Sequence, residues 1–291
     1  MKLVSQVKQR HDVYTEVTER IVSAIEIGEA SPSKWICPWS TVGGARNLDG
    51  REYRGINALL LGLSGFSSPV FGTFKALTAA GVQVSKGAKG TRVIYYLFGK
   101  ETDDATEKGK FRGVKTYAVF NLSQTDADAA TRADLEAAAG VKPLRTAVEK
   151  DARVLEILDK LKLRGGVNNA SPFAAYHPAA DAISLPSASS FFSDEDWAST
   201  AAHEAMHATG ASHRLDRDLS GRFGDASYAM EELVAELGAA MTLSAAGIQA
   251  VTREDHAHYL SAWLQRLKAD SRPIFACASK AQQGADFLLS A

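Results

Sequence analysis

The segment His203-Glu204-Ala205-Met206-His207 constrains this 291-residue chain more than any other feature. On a helix, residues four apart share a face, so both imidazoles reach one cation and Glu204 reaches a water activated by it. Read as a metal motif, the pattern needs a helix, a metal ion, a third protein ligand from elsewhere in the chain and one position left open, whereas two histidines packed on a helix need only the helix. Glu204 takes the role of general base. Ser193, with Asp196 three residues on, opens that helix in the manner of an N-cap with an acidic first turn, and the spacing predicts a helix over 194–209.

Three residues compete to be the third ligand. His213 would complete HExxHxxGxxH with Gly210 turning the chain, but the methionine turn that accompanies this pattern has no candidate, since Met230 and Met241 lie in strongly helical sequence. Glu232, in a helix predicted over 228–246, weighs more and gives an arrangement that resembles the gluzincins. Glu236 lies one turn further on the same face, placed to orient a ligand histidine. Glu231 is the third candidate. Adjacent helical residues point about 100° apart, so only one of Glu231 and Glu232 faces the metal, and in the plainest reading Glu231 and Glu236 form a solvated helix face. Two histidines, one carboxylate and a water suit Zn²⁺; Mn²⁺ binds such a set more weakly, although cellular availability can place it there.

Charge divides the chain. The formal net charge is −1, yet residues 1–125 hold 17 Lys and Arg against 11 Asp and Glu, while the remainder holds 16 against 23. In the basic part Trp35, Trp39, Tyr53, Phe71 and Phe74 interleave with Lys34, Arg46, Arg51, Arg54, Lys75, Lys86, Lys89 and Arg92. Single-stranded nucleic acid is gripped by such a set, with rings stacking on bases and cations following phosphates. A small aromatic core under a solvated surface has the same composition. The turn KGAKGTR, residues 86–92, sets two glycines among three cations, which suits a phosphate and equally a plain hairpin.

Hydrophobic spacing predicts helices over 13–27, stopped by Gly28, over 56–63, 73–80 and 144–163, and strands over 91–98 and 115–122. Residues 126–141, DADAATRADLEAAAGV, have little to bury and read as a linker. AAYHPAADAISLP reads as two short strands about a Pro-Ala-Ala-Asp turn, and two more helices close the chain. The expected fold class is α+β in two domains. A small α+β nucleic-acid-binding domain spans 1–125, a linker 126–143, and a mainly helical, zincin-like domain with a short antiparallel sheet 144–291. Cys37 and Cys277 lie 240 positions apart with no CxxC, which suggests neither a disulfide framework nor a thiolate zinc site. The first residues hold no apolar signal core and the longest apolar stretch, 56–63, is far short of the roughly 20 residues that span a bilayer, so the chain reads as cytoplasmic.

These residues together resemble the ArdC-type antirestriction proteins of conjugative plasmids. The first part carries Pro38-Trp39, YRGIN (53–57), TFK (73–75), KGAKGT (86–91) and VFNLSQT (119–125). The second carries D-x-I-x-x-P (181–186), the HExxH followed by TG and RLDR, and YAMEELVAEL. The resemblance implies a single-stranded-DNA-binding N-terminal domain, with Asn57 of YRGIN among its contacts, and a metallopeptidase-like C-terminal domain. The implied role is protection of incoming plasmid DNA from host restriction during conjugation, with host restriction machinery or another protein as a further partner. This chain departs from its relatives at His213, where they carry a small polar residue, and at Ala208, where they carry an aromatic one. A zinc-dependent peptidase that cleaves a host protein is the competing function. DNA mimicry as the sole mechanism conflicts with the positive first part.

Overall fold

The computed structural model describes residues 13–30, 44–98, 111–141, 147–221, 225–251 and 257–290. Val17, Ile21, Val22 and Ile25 recur on one face of α1 (Val13–Ala30) and are buried. The helix runs on through Gly28, where a stop was expected; one interior glycine costs only about 1 kcal/mol. α1 packs on a helix near the far end of the chain, α8 (Ala257–Ala269), and the Thr18 hydroxyl donates to the Ser271 carbonyl at 2.8 Å.

The N-terminal sheet consists of β1 (Arg46–Asn47), β2 (Val70–Gly72), β3 (Thr91–Phe98) and β4 (Phe111–Asn121), in the order β1-β2-β4-β3. β1 and β2 are parallel and the other pairs antiparallel. Period-2 alternation sorts the long hairpin: Val93 and Val119 face Phe71, Leu61 and Ala45, whereas Ile94 faces the helices. Two short helices, α2 (Ile56–Gly62) and α3 (Phe74–Ala79), flank the sheet.

Part of the expected linker is a helix, α4 (Ala129–Ala138), which corrects that reading. The Asp128 side chain caps it by accepting from the Thr131 amide at 2.8 Å, and the Ser68 hydroxyl bonds Glu136. Ala127, Leu135, Ala139 and Val141 pack with Val70, Leu77 and Leu122 of the sheet unit. Sparse apolar residues suffice here because a preformed surface receives them.

The C-terminal unit contains α5 (Ala147–Lys160), β5 (Gly166–Asn168), β6 (Ala175–His177), β7 (Ala182–Ser184), α6 (Asp194–Thr209), α7 (Ala226–Ala245), α8 and α9 (Pro273–Leu289). Its sheet has the order β5-β7-β6. β6 and β7 form the antiparallel pair around the expected turn, but β5 adds in parallel, so the sheet is mixed rather than antiparallel. Gly165 permits that addition: a Cβ there would lie 2.7 Å from the Ala182 Cβ and 2.8 Å from the Ala180 carbonyl.

Met206 points away from the histidines into the helical core, between Gly238 of α7 and Gly284 of α9, where any Cβ would overlap it. These glycines let α7 and α9 close around the metal-motif helix. Ile56, Leu59, Leu60 and Ile94 join the same core, so the two units share one apolar interior. Polar ties add to it: the Gly44 amide donates to Ser244 Oγ at 2.8 Å, the Gly55 amide to Gln282 Oε1 at 2.9 Å, and Arg54 pairs with Asp286. The fold class is α+β. Among the described residues no helix is long and apolar enough to cross a membrane.

Candidate functional site

Ser193 accepts from the Asp196 amide at 3.1 Å and starts α6, and three acidic residues in the first turn suit the positive end of the helix dipole. About three and four turns on, His203 and His207 present their Nε2 atoms 3.1 Å apart. Glu232 of α7 lies opposite, with Oε2 3.3 Å from His203 Nε2 and Oε1 3.4 Å from His207 Nε2. All three donors fall within 4.8 Å of one another. Donors held about 2.0–2.1 Å from a tetrahedral ion stand about 3.3 Å apart, so the set has the dimensions of a divalent-metal site before any ion is added.

The charge balance points the same way. Glu204, Glu231, Glu232 and Glu236 surround two imidazoles in a buried place. Burial opposes charge on His207, but Glu231 and Glu232 outweigh it and raise the imidazole to about 10. Burial also opposes charge on Glu232, yet the two histidines hold its carboxyl well below the ordinary range. Four carboxylates around two imidazoles leave the cluster with surplus negative charge, which suits a cation.

Carboxylates also stand at the outer nitrogens. Glu236 Oε2 lies 3.7 Å from His203 Nδ1, and Glu231 Oε1 lies 3.4 Å from His207 Nδ1. Neither forms a solvated face: Glu236 is 6% exposed, and Glu231 is clasped by Arg217, whose Nε donates to both its oxygens and whose Nη2 donates to Oε1 at 2.8 Å. The remaining Arg217 donors go to Thr209 Oγ1 and the Met206 carbonyl. Sequence reading missed Arg217, because its partner is fourteen positions away on another element.

His213 does not join the donors. Its Nε2 lies 3.3 Å from Asp181 Oδ2, on a half-exposed side chain. Asp181 is fully buried, and Arg214 grips it with two bonds of 2.8 and 3.0 Å while also donating to the Leu161 and Ala208 carbonyls. The Tyr176 hydroxyl donates to Asp181 at 3.0 Å, and the Tyr176 amide donates to Glu204 Oε2 at 2.8 Å. The edge strand β6 thus orients Glu204 beside the donors. A cavity of about 410 Å³ opens there, with Tyr176, Pro178, Leu219 and Tyr228 in its wall, large enough for a peptide segment at the three donors and Glu204.

In the N-terminal unit the expected nucleic-acid residues separate. Trp35 and Trp39 lie outside the described residues, as does Cys37. Arg46 is committed to the fold: it donates to the Ala139 and Gly140 carbonyls at 3.2 and 3.1 Å, pairs with Glu52 at 3.0 Å, and its side chain is only 13% exposed. The carbonyl end of α4 attracts it, which corrects its reading as a free cation. Asn57 is likewise structural. Its amide group donates to the Ile94 carbonyl and accepts from the Ile94 amide, both at 2.8 Å, and so satisfies the edge of β3.

Tyr53 is half-buried against the sheet, where burial first, and then Tyr117, raises its pKa. Arg54 is spent on Asp286, and Arg92, although exposed, is held by Glu16 at 2.9 Å. Lys75, Lys86 and Lys89 are exposed and have no ion-pair partner among the described residues. Tyr95 and Tyr117, which the composition did not single out, are exposed on the sheet.

Residues 11–120 match the family described as the N-terminal domain of anti-restriction factor ArdC, and residues 157–280 match zincin-like metallopeptidase. Protein y4eC of Sinorhizobium fredii (strain NBRC 101917 / NGR234) is 34% identical over 95% of this chain and 91% of its own length. A DNA primase TraC of Escherichia coli is 33% identical over 95% of this chain, which spans 27% of the primase. Among solved structures, the antirestriction protein ArdC from plasmid R388 superposes in its metal-free form with a TM-score of 0.71 at 32% identity, covering 95% of this chain and 96% of that one. Its Mn(II)-bound form gives 0.69 at 31% identity, covering 95% and 97%.

Proposed function

The chain belongs to the ArdC family of antirestriction factors, and from that premise we propose that it protects incoming conjugative plasmid DNA from host restriction by binding it as a single strand. The N-terminal domain, residues 1–125, contacts the strand, and the C-terminal domain, residues 144–291, carries one divalent ion on His203, His207 and Glu232. The likeness to an antirestriction protein over 95% of the chain carries this reading. The six-charge surplus of residues 1–125 supports a polyanionic partner. The bacterial cytoplasm is the proposed compartment, where an entering strand meets restriction enzymes.

Zn²⁺ is the ion proposed, from the two-imidazole, one-carboxylate donor set. The Mn(II)-bound form of a relative supports a divalent ion and keeps manganese as the alternative. When bound, the ion supplies a Lewis acid and lowers the pKa of water. Glu204, held by the Tyr176 amide, is placed to receive a proton. Glu236 and Glu231 keep the two imidazoles turned inward.

The cavity at Glu204 favours a second reading, a metallopeptidase that cleaves a host protein. Glu204→Gln separates the two, since it removes the general base and leaves the metal donors. For the first reading, binding of a labelled single strand is expected to weaken steeply with salt through counterion release; absence of binding at low salt refutes it.

A further inference from the structure

Resting on the single-strand reading above, we propose that the strand is held at one corner of the N-terminal sheet, where Phe74 stacks on a base and Lys75, Lys86 and Lys89 engage the neighbouring phosphates. The corner is assembled from parts distant in sequence. Thr73 accepts from the Ala76 amide at 3.2 Å and fixes the first turn of α3, which carries Phe74 and Lys75. The Phe74 ring meets Phe120 of β4 edge-on, with centroids 6.4 Å apart, and remains 55% exposed. One edge is anchored and the rest faces water.

Phe120 in turn lies over Gly90, where a Cβ would stand 3.2 Å from its ring and 3.0 Å from the Ala118 Cβ. Glycine therefore brings the turn that carries Lys86 and Lys89 against the aromatic pair. The turn is braced. The Ala88 amide donates to the Ser85 carbonyl at 3.0 Å, the Ser85 amide to the Gln124 carbonyl at 2.8 Å, and Gln124 Nε2 to the Lys89 carbonyl at 3.0 Å. Arg92 lies opposite Ala118, on the sheet face that carries Phe120, but its guanidinium is taken by Glu16 and is left out of the corner.

An exposed phenylalanine among lysines that no carboxylate of the described residues pairs with matches the two things a single strand offers, an uncovered base face and a phosphate on either side. A duplex covers its base faces and has no use for the ring. Tyr95 and Tyr117 lie on the opposite face of the hairpin beside one lysine, Lys115, and serve as the control surface.

The test measures binding of the full chain to labelled oligothymidylate, and to a duplex of equal length, across a salt series. Phe74→Ala is expected to weaken single-strand binding about tenfold with the salt slope retained. Joint replacement of Lys75, Lys86 and Lys89 by alanine is expected to reduce the slope of log K on log salt by about 2. Tyr95→Ala with Lys115→Ala should match the parent, duplex binding should ignore Phe74→Ala, and all variants should keep the parental melting temperature, since the altered side chains are exposed. If the parent binds and the corner variants bind equally well, or the control variant loses binding instead, the corner assignment is overturned while the single-strand reading stands. If the parent itself fails to bind oligothymidylate at low salt, that reading falls and the corner with it.

Discussion

Glu231 stands 3.4 Å behind His207 Nδ1 and is held there by Arg217, a buried guanidinium that spends its donors on Glu231, Thr209 and the Met206 carbonyl. A carboxylate at the outer nitrogen keeps the ring in the tautomer that directs the Nε2 lone pair inward. Glu231→Gln is expected to lower Zn²⁺ affinity about 10- to 100-fold with helix content unchanged. Chelator competition alongside circular dichroism measures both. An unchanged affinity would remove Glu231 from the centre.

Glu204→Gln should retain the ion, because Glu204 is not among the three facing donors, and should retain single-strand binding, which is proposed for the other unit. Any peptide hydrolysis should disappear. Metal content by elemental analysis and strand binding by anisotropy check the first two. Loss of the ion in this variant would mean that Glu204 is a ligand.

Asp181 sets a dependence on acid. Burial disfavours its charge, but Arg214, the Arg164 amide and Tyr176 outweigh that and hold its carboxyl well below the ordinary range. A depressed folded value gives stability that is full above the ordinary carboxyl value and is lost as the pH falls from there toward the folded value. Stability of the parent should therefore decline below about pH 4. Asp181→Asn, which leaves Arg214 buried without its charge partner, should cost about 3 kcal/mol at neutral pH and flatten the acid decline. Urea melts at a series of pH values decide this; an equally steep decline in the variant would place the acid sensitivity elsewhere.

Met206 has glycines on two sides, so Gly284→Ala overpacks the core behind the metal helix. A loss of about 1–3 kcal/mol is expected. If the melting temperature rises instead, the three helices have room that the packing denies.

What could be read from the sequence was local. Ser193, the HExxH spacing and the apolar face of 194–209 define α6, and the β-branched and aromatic run Thr91–Phe98 defines β3 unaided. β1 and β2, two and three residues long, have no period to detect. α4 depends on a cap and a receiving surface, because its own sequence buries little. The same limit applies at the site. Glu232 shows its helical face, but the grip of Arg217 on Glu231 and of Arg214 on Asp181 arises only once loops fold back over α6. Arg46 resembled a ligand-facing group because composition does not distinguish a cation that caps a helix from one left free, and Asn57, which entered through the family resemblance, is an amide that satisfies a sheet edge.

The central claim is protection of plasmid DNA through strand binding. Its most direct test is the efficiency of conjugative transfer into a restricting recipient relative to a non-restricting one, with each variant supplied at equal level. The expected result is protection by Glu204→Gln equal to the parent and loss of protection when Lys75, Lys86 and Lys89 are replaced together. Full protection by the lysine variant with none by Glu204→Gln would contradict the claim and assign antirestriction to hydrolysis.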